Sequence, residues 1–211
     1  MENEGASSRS IRTILTGDFI LGLFGFFVFL VALFALIPTL PIFLPLYAIG
    51  RGITNPGLYF SAVAVMLITA RSLGGGILDT YSKEKILLAS MFIAMVAVVT
   101  LSFSGTLVML IVVGLLWGTG SAFFFPASMA YAFEYAGSSG GTAVGTFRAL
   151  SDLGVTLGPI FMGIILPLAG YRIMFLSLAL VFLINISYFQ FYVRKKRTAV
   201  THSSSRSILP Q

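Results

Sequence analysis

Long apolar stretches broken by short polar links run through almost the whole chain. They cover roughly Phe19 to Ile49, Gly57 to Leu78, Ile86 to Phe103, Leu107 to Phe133, Thr142 to Leu168 and Ile173 to Val193. An α-helix needs about 20 apolar residues to cross the hydrocarbon of a bilayer, so the pattern predicts six membrane helices. The short links make successive helices antiparallel neighbours. The first stretch is long for one span and too short for two, and Pro38, Pro41 and Pro45 are expected to kink its outer end. Residues 1–17 are polar and mixed in charge. They lack the basic start and small-residue cleavage site of a signal peptide. Residues 196–211 read as a disordered tail. The expected organisation is therefore a cytoplasmic segment 1–17, a transmembrane domain 18–195 and a cytoplasmic tail.

Composition agrees. Of the 211 residues, 57% are hydrophobic and 9% charged, with a mean hydropathy of +0.99. A soluble domain is about 45–50% apolar and about 25% charged. The chain has no cysteine, and its one histidine, His202, lies in the polar tail. Disulfides and thiolate metal sites are excluded, and neither a metal nor a cofactor is expected. A net charge of +6 would suggest nucleic acid for a soluble protein; here the placement of the charges matters more, and no nucleic-acid partner is expected. Arg9, Arg12, Lys83, Lys85, Arg194, Lys195, Lys196, Arg197 and Arg206 fall on one side of the bilayer, and only Arg51 and Arg172 on the other. Basic residues mark the cytoplasmic side, so both termini are expected there, in a cell membrane. The Arg194–Arg197 run is most simply a flank that stops the last helix.

The fifth stretch is the most informative. Its segment GTFRALSDLGVTLGPIFMG places small or helix-bending residues at Gly145, Gly154, Gly158, Pro159 and Gly163. Glycines three or four apart share a helical face and let a neighbouring helix approach closely, and proline removes a backbone donor. The same helix carries Arg148 and Asp152, one turn apart on one face. Ionisable groups at membrane depth are costly and face a partner or a water-filled path. Arg71, in the second stretch, has no acid within its own helix. Counted at 1.5 Å per residue, Arg71 and Asp152 lie at similar depths, roughly 12 and 15 Å from the cytoplasmic side. Trp117 and Phe124 in the fourth stretch are candidates for lining a cavity.

These segments resemble the major facilitator superfamily, specifically one six-helix half of a bacterial efflux-type member, and most closely the second half. Gly145, Gly154, Gly158, Pro159 and Gly163 are similar to its antiporter motif, with Met162 standing where the first glycine of a closing pair is expected. The link GGGILDTYSKEK resembles its cytoplasmic signature at Gly75, Asp79 and Lys83, while Thr80, Ser82 and Glu84 depart from it. The resemblance implies an all-α membrane fold in which the six helices form two inverted three-helix repeats. It further implies a secondary transporter working by alternating access, with a small-molecule substrate. Helices one and four would line the cavity, and helices two and five would meet a second half, either another copy or a separate chain. Proton coupling with Asp152 as leading carboxylate, assisted by Arg148 and Arg71, is the expected energy source.

Plainer readings accompany these. The glycines suit generic helix packing. Asp79 suits a cap and gate at the cytoplasmic edge better than a substrate ligand. Arg148 and Asp152 neutralise each other whether or not they also carry protons. An intramembrane serine protease is excluded because no span holds a histidine, and an ATP-driven engine because there is no Walker motif. No enzyme activity is expected. The competing functional reading is a truncated remnant or a membrane scaffold that pairs with another membrane protein.

Overall fold

The computed structural model describes residues 34–35, 37–136 and 140–193. The segment 1–17, the first part of the first span, the Arg194–Arg197 run and the tail lie outside the described residues, as do the side chains of Asp79 and Glu134.

Every element among the described residues is helical. α1 spans Ile37–Gly50, α2 Gly57–Leu73, α3 is one turn at Ile77–Thr80, α4 spans Lys83–Ser102 and α5 Leu107–Ala136. A helical run from Gly140 to Tyr188 follows and widens into a π-turn at Phe189–Val193. By length and composition, Lys83–Ser102, Leu107–Tyr131 and Val144–Phe191 can each cross a bilayer, and α1 and α2 are shorter apolar helices. This is a helical membrane fold.

The run from Gly140 to Tyr188 is two helices. Gly170 has φ 76° and ψ 170°, a region essentially confined to glycine. It separates α6 (residues 140–169) from α7 (residues 171–188). The Ser177 hydroxyl lies 3.7 Å from the Met162 sulfur, whereas fifteen residues of unbroken helix would set them about 22 Å apart. α6 and α7 are therefore an antiparallel hairpin turned on a single residue, as the two separate spans of the sequence required.

The second span ends earlier than its hydropathy indicates. α2 stops at Leu73 rather than Leu78, and Gly74 caps it by donating to the Ala70 carbonyl. Three consecutive glycines, Gly74 to Gly76, weaken the helix at this point. A Cβ on Gly74 would stand 2.5 Å from the Ala70 carbonyl oxygen and 2.6 Å from Cε1 of Phe123 on α5, so glycine suits the position where the helix ends. Arg71 consequently sits in the last turn of α2. The count of eight residues from Arg71 to Asp79 does not measure depth along one straight helix. In the first span, by contrast, α1 continues through Pro38, Pro41 and Pro45.

α5 is the hub. α2 packs along one side of it and α4 along another, and α4 also contacts the 140–188 hairpin. α5 can be approached closely because it carries its own small residues. A Cβ on Gly114 would meet the Tyr59 carbonyl at 2.8 Å, and one on Gly118 the Val63 carbonyl at 2.8 Å, both on α2. Two aromatic clusters close the bundle. Phe34 meets Phe124, Phe125 and Phe147 edge-on, joining the described residues just before α1 to α5 and α6. At the other end Tyr47 packs on Tyr171 and Phe175, joining α1 to α7.

Candidate functional site

α6 presents two faces. Phe147, Leu150, Ser151, Gly154, Gly158 and Met162 recur every three or four residues and are buried. Gly145, Arg148, Asp152, Thr156 and Gly163 form the opposite stripe and are exposed. The five motif residues thus do not act together. Nine residues separate Gly145 from Gly154, half a turn beyond two whole turns, so they face opposite ways. Eighteen residues bring Gly163 back beneath Gly145.

On the buried face the glycines work by contact. A Cβ at Gly158 would stand 2.7 Å from both the Cα and the carbonyl carbon of Ala35, closer than carbon atoms pack. The α6 backbone therefore lies directly on the first helix. The Ala35 carbonyl at that crossing also accepts the Thr39 hydroxyl at 2.7 Å. Met162, in place of a motif glycine, is buried and turns its sulfur toward Ser177. On the exposed face a Cβ at Gly145 would meet nothing within 4 Å, and one at Gly163 would only reach the Phe43 ring at 4.0 Å. Pro159 sits within continuous helix and withholds the amide that would otherwise bond the Val155 carbonyl.

The charges lie on the exposed stripe. Arg148 Nε is 3.5 Å from Asp152 Oδ1, and the two side chains are 69% and 63% exposed. The Thr156 hydroxyl donates to the Asp152 carbonyl at 2.8 Å, so that hydroxyl is not spent on the carboxylate. Arg71 is exposed and has no ion pair or hydrogen bond among the described residues. The chain brings Arg148 and Asp152 together and leaves Arg71 apart from them. Within one copy, Arg148 and Asp152 form the pair, and Arg71 stands apart from it among the described residues.

The aromatic candidates lie inward. Trp117 meets Phe182 edge-on at 6.3 Å, Phe124 meets Phe34 at 6.0 Å, and both are buried. With Ile37, Ala94, Gly120 and Ser121 they border a void of about 10 Å³, room for one water molecule. That void is too small for a substrate. At the cytoplasmic signature, Asp79 lies on the α3 turn and Lys83 opens α4. A Cβ on Gly75 would approach only the Arg71 carbonyl, at 3.8 Å, so the close contact belongs to its neighbour Gly74.

A profile of the Major Facilitator Superfamily matches residues 22–208. The chain belongs to the Major Facilitator Superfamily. A probable sulfoacetate transporter, SauU, of Cupriavidus necator is 31% identical over 140 residues, which are 65% of this chain and 33% of that relative. The aligned part thus spans about a third of the relative's length. Membership in the Major Facilitator Superfamily points to a membrane transporter and not an enzyme.

Two contacts had a signal in the sequence that periodicity alone did not raise. Gly114 and Gly118 stand four apart in GLLWG, the same small-residue spacing noted in the fifth stretch. Gly74 and Phe123 are 49 positions apart in sequence, and only the fold brings them together.

Proposed function

We propose that this chain forms one six-helix half of a secondary active transporter, built as two inverted three-helix repeats and working by alternating access in the cell membrane. The observation that carries this reading is the exposed stripe of α6. An ion pair open over most of its surface, flanked by Gly145 and Gly163, stands on the outside of an otherwise apolar bundle. Hydrocarbon is a poor environment for such a pair. A second six-helix body, a further copy or a separate chain, covers it and leaves a water-lined path between the two. The outward glycines allow close approach, and the buried ones bind α6 to the first helix so that the half moves as a unit.

Asp152 carries the coupling proton in this reading. Its carboxylate has one cationic partner at 3.5 Å, and protonation would release Arg148. Both termini are cytoplasmic by the distribution of lysine and arginine. The antiporter-like register of Gly145 to Gly163 supports export of a small molecule. For substrate class, a small organic anion is favoured. Arg71 and Arg148 outnumber Asp152 on the exposed surfaces of α2 and α6, and the relative is named for sulfoacetate, which carries a sulfonate and a carboxylate.

The test is flux in proteoliposomes under an imposed pH gradient, across a panel of small organic anions and neutral molecules. Gradient-driven flux of at least one anion is expected for the wild type. Asp152→Asn should abolish the response to the gradient while keeping exchange between unlabelled and labelled substrate. Unchanged gradient-driven flux in Asp152→Asn would remove the carboxylate from the mechanism.

A further inference from the structure

At the end of the bundle opposite Lys83 and Lys85, the links 51–56, 103–106 and the Gly170 corner meet around Tyr47. The Tyr47 hydroxyl donates to the Ser104 carbonyl, and its ring packs on Tyr171 and Phe175. Two arginines rest on this cluster. The Arg51 guanidinium carbon lies 5.2 Å from the Tyr47 ring centre, and that of Arg172 lies 4.6 Å from the Phe103 ring centre. The 103–105 link runs between them, since a Cβ on Gly105 would stand 3.9 Å from Arg51 Nη1.

The backbone beneath both is set. Gly52, at φ 71°, donates to the Ile49 carbonyl, and Ile53 donates to the Ala48 carbonyl. These are the two bonds that close a helix on a left-handed glycine, and they hold Arg51 at the end of α1. Arg172 is fixed by the Gly170 turn into the start of α7.

Neither guanidinium has a hydrogen bond or ion pair among the described residues, and both residues are exposed. None of the chain's acidic residues lies in these three links. Contact with a ring engages the face of a guanidinium and leaves its N–H donors, which lie in the plane, available. The positions are also costly without a counter-ion. Arg172 stands at a helix N-terminus, where the dipole opposes a cation, and both arginines run against the charge bias that orients membrane chains. Beside them Ile49, Phe103 and Ile173 are exposed. Exposed apolar side chains next to unpaired arginines at a helix boundary match the two parts of a lipid, acyl chain and phosphate.

We infer that Arg51 and Arg172 form a binding site for the phosphate of an anionic phospholipid, with its acyl chains over Ile49, Phe103 and Ile173. A charge-assisted hydrogen bond from each arginine to the phosphate contributes about tenfold in affinity. A free phosphate offers the same oxygens without the chains and is the competing occupant.

The full chain, purified in a neutral detergent, is titrated with dioleoyl-phosphatidylglycerol, and bound lipid is counted by native mass spectrometry. Arg51→Gln/Arg172→Gln should lose the tightest lipid and weaken the apparent affinity for it by at least about tenfold. Arg51→Lys/Arg172→Lys keeps the charge and should retain most of the binding; it also serves if the glutamine variant does not fold. Lys195→Gln/Lys196→Gln, in the basic run after α7, should leave the tightest lipid in place. The inference is overturned if the double glutamine variant binds phosphatidylglycerol as the wild type does. It is equally overturned if inorganic phosphate at matched concentration displaces the lipid, or if zwitterionic phosphatidylcholine binds as tightly.

Discussion

Gly158→Ala tests the contact that joins α6 to the first helix. The new Cβ would stand 2.7 Å from two backbone carbons of Ala35, against the 3.5–4.0 Å or so at which carbon atoms pack. Neither side is a flexible side chain, so the helices must part by about 1 Å. That separation loosens the edge-on contacts Phe34 makes with Phe147 and Phe124, at 5.3 and 6.0 Å, and draws the Ala35 carbonyl away from its place on α6. Overpacking of this kind costs about 1–3 kcal/mol, while replacing glycine by alanine inside a helix returns roughly 1 kcal/mol. The balance is a loss of up to about 2 kcal/mol, and Gly158→Leu should be worse. Gly145→Ala is the matched control. Among the described residues its Cβ meets nothing within 4 Å, so in a single chain without the covering body only the helix-propensity gain of about 1 kcal/mol remains. The two changes should move the unfolding midpoint in opposite directions, measured by a thermal shift in mild detergent at equal lipid content. If Gly158→Ala unfolds at or above the wild-type temperature, the close approach of α6 to the first helix is not a stabilising contact.

Three further outcomes are expected. Gly170→Ala should destabilise by about 1–3 kcal/mol, because φ 76° with ψ 170° is strained for any side chain; an unchanged midpoint would mean the hairpin does not turn there. Gly74→Ala should destabilise, because its Cβ would stand 2.5 Å from the Ala70 carbonyl oxygen and against the Phe123 ring, and Phe123→Ala should recover only the ring's part of that loss in the double variant; simple addition of the two losses would rule out the ring contact. In native membranes, Arg71→Cys/Asp152→Cys should cross-link between copies if the covering body is a second copy of this chain, because a two-fold interface repeats each contact. No inter-chain product would leave a separate chain as the covering body.

What the sequence settled was set by local composition. Hydropathy and the scarcity of charge show a membrane chain of helices, because a backbone in hydrocarbon must bond within itself. The pairing of Arg148 with Asp152 follows from their spacing on one helix. The spacing of the glycines also contains their division between two faces, once the turns from Gly145 to Gly154 are counted. The tertiary structure decided which face is covered. Gly158 lies against Ala35, and Gly145 lies against nothing among the described residues. It also moved the end of α2 to Gly74, where the Ala70 carbonyl and the Phe123 ring leave no space for a side chain. It placed Trp117 and Phe124 in the core, since an aromatic ring has the same hydropathy whether it meets lipid, a cavity or another helix. The cluster of Arg51, Tyr47, Phe103 and Arg172 joins links 50 to 120 residues apart, and no local pattern encodes it. Hydropathy reports what a segment must avoid; which neighbour it finds depends on shape, and shape exists only once the helices have packed.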